Sequence, residues 1–306
     1  MKGLNFYLLG LVTAILVSAC GTSRTVPITG RKQTLMVSDE EVLSLSTQEY
    51  TKYMQSAKKS TNATNTAMVQ RVGQKLANAV TTYLTNNGLQ SELSQYSWEF
   101  NLVQDQNVNA FCMPGGKIVV YEGLLPVTQD EASLAVVLGH EIAHAVAKHS
   151  AEQMSKQIQQ QYGTQIGGAV LGALGMGSNT TSIIQAIVQQ GFQFKNLKYS
   201  RDHETEADRM GLIFAAMAGY DPNVAVSFWQ RMAASSSNNT AEFLSDHPSD
   251  ATRINNIQKS FLPEALKYYT PPQTTVTTTT AKKATTTKKT TAKKTTTKKT
   301  TTSKKK

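Results

Sequence analysis

Cysteine is scarce in this 306-residue chain, which contains only Cys20 and Cys112. Two cysteines exclude a disulfide-rich scaffold and any zinc site built from four cysteines. Long apolar runs are also missing from the interior. Residues 157–194 carry no charge, but their apolar centre, 166–176, is too short to span a membrane. We interpret 157–194 as a lid or plug beside a site, or alternatively as a buried glycine-rich helix with a loop.

Acidic residues are absent from the C-terminal segment 270–306, which holds 11 lysines. Removing these from the 31 lysines and arginines leaves 20 basic against 21 acidic side chains. A basic nucleic-acid-binding domain is therefore excluded, because its charge would have to lie on the folded surface. The segment is mostly threonine and lysine and has too few apolar side chains to fold. We predict a disordered basic tail over 270–306, able to bind acidic envelope polymers.

The N-terminus has the pattern of an export signal. Lys2 precedes an apolar run over 4–17, and the run ends in Val-Ser-Ala-Cys, which resembles the bacterial lipobox. This predicts a lipoprotein signal peptide over 1–19, lipidation at Cys20 and a lipidated tether over 20–36. Gly21 replaces the aspartate that commonly retains lipoproteins in the inner membrane of Gram-negative bacteria. We therefore expect an outer-membrane anchor facing the periplasm; the alternative is an uncleaved N-terminal anchor.

Hydrophobic periodicity predicts an α+β, mainly helical domain over 37–269. A capping box at Ser38 and Glu41 marks one helix start, and apolar residues at three- and four-residue spacing predict a second helix that ends near Gly88. Alternating residues predict a strand around 98–102, and an apolar run predicts another over 117–121. The Pro-Gly-Gly turn between the second run and the apolar residues before it indicates a hairpin or a bulged edge. The sequence thus predicts a small sheet that precedes a long apolar helix over 130–150.

That long helix contains the pattern HEIAH at 140–144. Side chains four residues apart project from one helical face, so His140 and His144 can bind one zinc ion. Glu141 lies beside them, where it can take a proton from a water molecule. The flanking residues are apolar, and two histidines with a glutamate are unusual in a buried helix unless they bind something. The pattern therefore predicts a zinc site.

A catalytic zinc site uses a third protein ligand and keeps one position open. Glu204 and Asp208 lie four residues apart on a later predicted helix, so one can bind the metal while the other accepts a hydrogen bond from a ligand histidine. Glu206 points off that face, and we expect it to be dispensable for metal binding. His149 lies five residues beyond His144, about 140° round the helix, so it leaves the ligand face. We interpret it as a packing or C-terminal dipole histidine, and we expect His203 to face solvent.

Four ordered segments resemble the HtpX-like and CAAX-prenyl-protease-like family of gluzincin metallopeptidases, especially its periplasmic BepA-like and LoiP-like lipoprotein members. The segments are NAFCMPGGKIVVYEGLL at 109–125, HEIAH at 140–144, SRDHETEADRMG at 200–211 and DHPSDATRI at 246–254. The resemblance implies a zincin-type domain in which an edge strand precedes the HExxH helix. It also implies one zinc ion bound by His140, His144 and Glu204, with Glu141 as the catalytic acid/base.

The same resemblance implies roles around the metal. The strand at 117–121 would pair with an extended substrate backbone through Lys117, Ile118, Val119 and Val120. His247 would lie near the metal, where it could stabilise the oxyanion or occupy the open zinc position. Arg201 would hold the Glu204 helix or the oxyanion region, or form a structural ion pair.

The leading functional hypothesis is a membrane-anchored zinc endopeptidase that hydrolyses unfolded or misassembled envelope proteins. A second hypothesis is a chaperone-like or assembly-factor lipoprotein whose zinc site is latent or structural, with His247 as a fourth ligand. A third is a cell-wall tether that acts through the basic tail. The intact Glu141 favours catalysis, because a structural zinc site needs no base.

Overall fold

A β-hairpin opens the part of the chain that the structure describes. The computed structural model describes residues 22–165, 176–235, 242–247 and 251–271. Strand β1 (Thr22–Thr25) pairs antiparallel with β2 (Lys32–Leu35). Val26 and Leu35 are buried, so apolar side chains fix this hairpin against the rest of the domain. The segment predicted as a lipidated tether over 20–36 therefore contains a packed hairpin from Thr22 onward.

Helices make up most of the described chain, which confirms the mainly helical α+β class. Ser38 and Glu41 form the predicted capping box at the start of α1. The helices are α1 (Asp39–Ser56), α2 (Ala63–Asn86), α3 (Leu125–Thr128), α4 (Glu131–Val146), α5 (His149–Gln165), α6 (Met176–Gln189), α7 (Arg201–Met217), α8 (Val224–Ser235), α9 (Glu242–Asp246), α10 (Ala251–Asn256) and α11 (Leu262–Ala265). Shorter 3-10 or π turns lie at Gln90–Gln95, Glu122–Leu124, Phe194–Asn196, Ile257–Phe261 and Leu266–Tyr268.

The helix expected over 130–150 is two helices. Helix α4 ends at Val146 and α5 begins at His149. Between them Lys148 has φ of 55°, a left-handed conformation that stops helical propagation. The direction of every side chain after Val146 is therefore set by α5 and not by the register of α4.

A three-stranded sheet precedes α4 in the chain. It consists of β3 (Glu99–Val103), β4 (Ala110–Met113) and β5 (Lys117–Tyr121), in the order β3-β5-β4. Strand β5 is parallel to β3 and antiparallel to β4, so it lies in the centre of the sheet. The side of β4 that faces away from β5 forms one edge.

Two apolar cores hold these elements together. The larger core contains side chains of α2, the sheet, α4, α7 and α8, with Trp229 and Phe243 among its fully buried residues. The smaller core joins α1 to one face of the sheet and includes Ile158, Ile184 and Phe192. Both described ends of the uncharged stretch 157–194 therefore contribute side chains to this smaller core. Residues 166–175 lie outside the described part of the chain. No helix in the described part is long and apolar enough to cross a membrane.

Candidate metal centre

Four side chains from three parts of the chain converge inside the domain. His140 and His144 come from α4, Glu204 from the first turn of α7, and His247 follows α9. One ligand atom of each lies within 4.8 Å of the others, and all four residues are buried. The Nε2 atoms of His140 and His144 are 3.0 Å apart. His247 Nδ1 lies 3.2 Å from His140 Nε2 and 3.0 Å from Glu204 Oε1.

The donor set fits zinc. Three imidazole nitrogens and a carboxylate oxygen are ligand types that zinc uses in tetrahedral sites. Glu204 Oε2 is buried and makes no hydrogen bond among the described residues, and its cationic and imidazole neighbours Arg253 and His140 lie 3.4 Å away. The atom is therefore available to bind a metal. Burial alone would raise the pKa of Glu204, but His247 and His140 outweigh it and lower the pKa far below the usual range. The carboxylate is therefore ionised, as a metal ligand must be.

Two glycines bring α4 and α7 into contact at the site. A Cβ atom at Gly139 would lie 2.5 Å from the carbonyl oxygen of Gly211, and one at Gly211 would lie 2.5 Å from the backbone nitrogen of His140. Only glycine permits this approach. It places the first ligand histidine directly against the helix that carries Glu204.

Asp208 lies one turn beyond Glu204 and contacts His140, as the helical spacing predicts. The separation between His140 Nδ1 and Asp208 Oδ1 is 3.0 Å. Arg253 donates to both carboxylate oxygens of Asp208, at 2.8 and 2.7 Å, and its guanidinium lies 3.6 Å from the centre of the Trp229 ring. These contacts orient His140 with its Nε2 toward the cluster.

The arginine at the site is Arg253 and not Arg201. Arg201 is exposed at the start of α7. Its backbone carbonyl oxygen accepts a hydrogen bond from Thr205 Oγ1. Arg253 is buried and lies 3.4 Å from Glu204 Oε2. Sequence reasoning missed Arg253, although it falls in the DHPSDATRI segment.

His149 and Glu206 form a second set of contacts behind His144. His149 Nδ1 lies 2.8 Å from His144 Nδ1, and His149 Nε2 lies 3.0 Å from Glu206 Oε2. Burial lowers the pKa of His149 to about 4. Burial alone would raise the pKa of Glu206, but hydrogen bonds from His149, Arg31 and Thr29 lower it to about 2. His149 thus stays outside the metal cluster, as its spacing predicts, but it contacts the ligand His144 directly, which the spacing does not predict.

His203 is also inside the protein. Its ring stacks on His149 with centroids 4.3 Å apart and planes 15° from parallel, and it is 1% exposed. The expectation that it faces solvent is therefore wrong. All five histidines of the chain are buried. Each lies in one of the quoted segments or within five residues of one, which is the sequence signal that could have revealed His149 and His203.

Glu141 lies beside the cluster with one oxygen held and one free. Its Oε2 accepts the backbone N–H of Cys112 at 3.2 Å. Its Oε1 has no hydrogen-bond partner in the described part of the chain and lies 3.6 Å from His247 Nε2. Burial raises the pKa of this carboxyl, and the nearby His247 and His140 oppose that rise. Glu141 thus has an acceptor atom and a raised basicity, the properties of a general base.

The strand predicted to bind substrate is not at an edge. Lys117, Ile118, Val119 and Val120 lie in β5, which is paired on both sides and therefore has no free edge for a peptide. Within the described sheet, β4 is an outer strand. Period-two alternation shows a strand but not its neighbours, which depend on pairing distant in sequence. Strand β4 carries Cys112 next to Glu141. Burial raises the pKa of the Cys112 thiol well above its ordinary value, so the thiol is neutral.

Aromatic side chains cover the cluster. The ring of Tyr199 stacks on His144 with centroids 4.0 Å apart, and Phe243 stacks on His247 at 4.6 Å. The four cluster residues are at most 5% exposed. Glu141 is 2% exposed, so the site is closed to solvent, and the rings of Tyr199 and Phe243 form its aromatic cover.

Several predicted features lie outside the described residues. These are the signal peptide over 1–19, the lipidation site Cys20 and the basic tail from 272 onward. They stay predictions.

Comparison with known proteins agrees with this geometry. The family model "Peptidase family M48" matches residues 63–260. The chain is 38% identical over 177 residues to mitochondrial metalloendopeptidase OMA1 of Schizosaccharomyces pombe, covering 57% of this chain and 50% of that protein. It is 32% identical over 247 residues to metalloendopeptidase OMA1, mitochondrial, of Homo sapiens, covering 79% and 46%.

A bacterial relative is more distant. The chain is 32% identical over 136 residues to the putative beta-barrel assembly-enhancing protease of Vibrio cholerae, covering 44% of this chain and 28% of that protein. The chain thus spans about half the length of the OMA1 relatives that it matches. The matched region contains the whole metal cluster, and the M48 family uses zinc. On this evidence the chain belongs to peptidase family M48.

Proposed function

We propose that this protein is a membrane-anchored zinc endopeptidase that hydrolyses peptide bonds of unfolded or misassembled envelope proteins. The observation that carries the proposal is the position of Glu141. A buried glutamate whose free oxygen faces a buried His-His-Glu cluster is suited to accept a proton during hydrolysis. Two of the relatives described above are named metalloendopeptidases and one is named a protease, which supports the same reaction.

The chemistry divides between the metal and the chain. His140, His144 and Glu204 would hold the zinc ion, which would act as a Lewis acid toward water and a carbonyl group. Glu141 Oε1 accepts the proton of the attacking water and returns it to the departing amine. The Cys112 N–H holds the other oxygen of Glu141 at 3.2 Å, which fixes the carboxylate plane during both transfers.

Strand β4 is the proposed substrate-binding edge. An extended peptide that adds to an exposed strand is held mainly by backbone hydrogen bonds, which give affinity with little dependence on sequence. Such recognition suits unfolded chains, since folded proteins offer few free extended segments. Residues Ala110–Met113 are buried in the closed state, so the edge becomes available only when the cover opens.

Location in the cell envelope is part of the proposal. The lipobox predicts an anchor at Cys20 in the outer membrane of a Gram-negative bacterium, with the domain in the periplasm. The Vibrio cholerae relative is named for β-barrel assembly, a process of that membrane, and this supports substrates among envelope proteins. The OMA1 relatives are mitochondrial.

The decisive experiment compares the full chain with Glu141→Gln. The amide has the same shape but cannot accept a proton, so we expect unchanged zinc content and loss of unfolded-protein cleavage by several orders of magnitude. Zinc is measured by mass spectrometry and cleavage with a fluorescently labelled unfolded protein. Retained cleavage in the zinc-loaded variant would contradict the role of Glu141.

One observation favours a second function. His247 lies within the cluster, and a zinc site closed by four protein ligands is typical of structural zinc. On this alternative the protein is a chaperone-like or assembly-factor lipoprotein with a latent or structural zinc site. It predicts that wild type and Glu141→Gln suppress aggregation equally and that neither cleaves the substrate. Binding of acidic envelope polymers is assigned to the tail, and deletion of 270–306 tests it separately.

A further inference from the structure

The histidine His144 has both ring nitrogens in contact with other histidines. Its Nε2 faces the cluster, 3.0 Å from Nε2 of His140. Its Nδ1 lies 2.8 Å from Nδ1 of His149. A neutral imidazole carries one proton, on one nitrogen or the other. Whether His144 can offer a lone pair to a metal therefore depends on which nitrogen is protonated.

Glu206 lies on the far side of His149 and fixes which nitrogen of His149 carries the proton. Its carboxylate can only accept, and Oε2 lies 3.0 Å from His149 Nε2. For His144 to offer its Nε2 lone pair to a metal, its own proton must lie on Nδ1 and be accepted by His149 Nδ1. His149 then carries its proton on Nε2, where it donates to Glu206. The remaining lone pair on His149 Nδ1 accepts the proton of His144 Nδ1. His144 is left with its lone pair on Nε2, directed into the cluster.

We propose that Glu206 and His149 are positioning residues that set the proton position and ring orientation of the metal ligand His144. Glu206 does through His149 what Asp208 does directly for His140. The inference rests on the proposed binding of a metal at this site, but not on peptide hydrolysis. It reverses the expectation from helical spacing that Glu206 is dispensable.

The hairpin between β1 and β2 holds Glu206 in place. Thr29 Oγ1 donates to Glu206 Oε1, and Arg31 Nε donates to Oε2 at 2.9 Å. Arg31 also donates two hydrogen bonds to Glu152, at 3.2 and 2.8 Å. Because Glu206 accepts from three donors, its carboxylate plane and its distance to His149 are fixed.

The ring of His149 is fixed as well. His203 stacks on one of its faces with centroids 4.3 Å apart. His203 Nε2 in turn lies 3.3 Å from Glu152 Oε2. Rotation of His149 would break this stacking together with both of its hydrogen bonds. The arrangement is therefore a rigid support for His144, and it differs from an ordinary buried ion pair between Arg31 and Glu206.

The first test needs no substitution. Long-range proton–nitrogen NMR spectra of the full chain, labelled with ¹⁵N only in its five histidines and freed of metal, report which ring nitrogen carries the proton. We expect His144 to be protonated at Nδ1 and His149 at Nε2. A His144 ring protonated at Nε2 would overturn the proposal.

The second test uses matched substitutions. Glu206→Leu removes the acceptor, so we expect both rings to move their protons and zinc affinity to fall 10–100-fold. Glu206→Gln keeps an acceptor oxygen and should restore both the tautomers and near-wild-type affinity. Glu264→Leu is the control, since Glu264 accepts two hydrogen bonds from Arg209 of the same helix α7 but lies outside the contacts of His149 and Glu206 described above. It should leave tautomers and affinity unchanged.

The outcomes distinguish a specific role in positioning His144 from a general role in the stability of the domain. Equal loss of zinc affinity in Glu264→Leu and Glu206→Leu, measured by chelator competition, would overturn the proposal in favour of a general effect of losing an ion pair of α7. Unchanged affinity in Glu206→Leu would also overturn it. If Glu206→Leu does not fold, His149→Phe and His149→Asn replace it. Asparagine keeps an acceptor near His144 and phenylalanine does not, so only the phenylalanine variant should lose zinc. Loss of proteolysis alone, with these readings intact, would concern the proposed function and not this inference.

Discussion

Replacement of Gly211 by alanine tests whether contact between α4 and α7 sets the geometry of the metal cluster. The added Cβ would lie 2.5 Å from His140 N, 2.6 Å from Gly139 C and 2.7 Å from His140 Cα. Carbon contacts are ordinary only beyond about 3.5 Å, so the helices must separate by roughly 1 Å. All three close atoms belong to backbone, and rotation of a side chain cannot relieve the contact.

The expected effect has a structural and a chemical part. Overpacking of this kind costs about 1–3 kcal/mol of folding stability. Zinc ligands tolerate displacements of only about 0.2 Å, so a separation of helices that carry His140 and Glu204 should also weaken zinc binding. A misplacement of about 1 Å at a reacting centre can lower the rate 10²-fold. We therefore expect Gly211→Ala to lose stability, zinc affinity and cleavage together.

Gly73→Ala is the matched control. A Cβ at Gly73 would lie 2.1 Å from the ring of Phe100, so this variant is overpacked against a side chain away from the cluster. It should lose stability, measured by urea unfolding, but bind zinc like wild type in chelator competition. Zinc affinity and cleavage within twofold of wild type for Gly211→Ala would refute the reasoning, as would equal zinc loss in both variants.

Three further predictions concern other parts of the molecule. His247→Ala should accelerate cleavage of unfolded protein, because the contacts of His247 with His140 and Glu204 indicate that it blocks the open zinc position. A fall of about 10²–10³ in the cleavage rate would instead assign oxyanion stabilisation to His247. A wild-type cleavage rate would contradict both roles. Cys20→Ser should abolish palmitate labelling and membrane fractionation, and normal values of both would disprove lipidation. Burial would raise the pKa of Asp39, but Lys148 and Arg24 outweigh it and hold the pKa below its usual 3.8. The stabilising effect of the Asp39 carboxylate is therefore complete above pH 3.8 and is lost as the pH falls below it. Asp39→Asn should lower the free energy of unfolding in urea by about 1 kcal/mol at pH 7 and by progressively less below pH 3.8. A difference from wild type that does not change with pH would contradict this prediction.

The parts of the site that depend on one helix could be read from the sequence. The four-residue spacing of His140 and His144, and of Glu204 and Asp208, was sufficient because each pair lies within an unbroken helix. Helical geometry then dictates the shared face. The capping box at Ser38 and Glu41 is equally local.

The contact of His149 with His144 could not be predicted, because helix α4 ends before His149. The angle of 140° from the ligand face holds only if α4 continues, whereas Lys148 adopts φ of 55° and the chain starts a new helix. A left-handed lysine has no distinctive sequence signature. The contact of His149 with Glu206 also joins residues 57 apart in sequence, which no periodicity encodes.

Strand order and the hairpin were beyond local patterns for a related reason. Alternation placed a strand at Lys117–Tyr121, but its central position comes from pairing with both β3 and β4. Arg31 reads as one basic residue in a polar segment. Its partners, Glu152 and Glu206, are 121 and 175 residues away, so its importance becomes visible only in the folded chain.

The ordered hairpin changes how far the proposed enzyme can move from its membrane. A flexible tether over 20–36 would let the domain travel about 55 Å from an acylated Cys20. Because the chain is already folded from Thr22, two residues remain for the link, a reach of about 7 Å. On the proposal that Cys20 carries the lipids, the domain would be confined to the layer next to the bilayer, and only polypeptides that enter that layer could be cleaved.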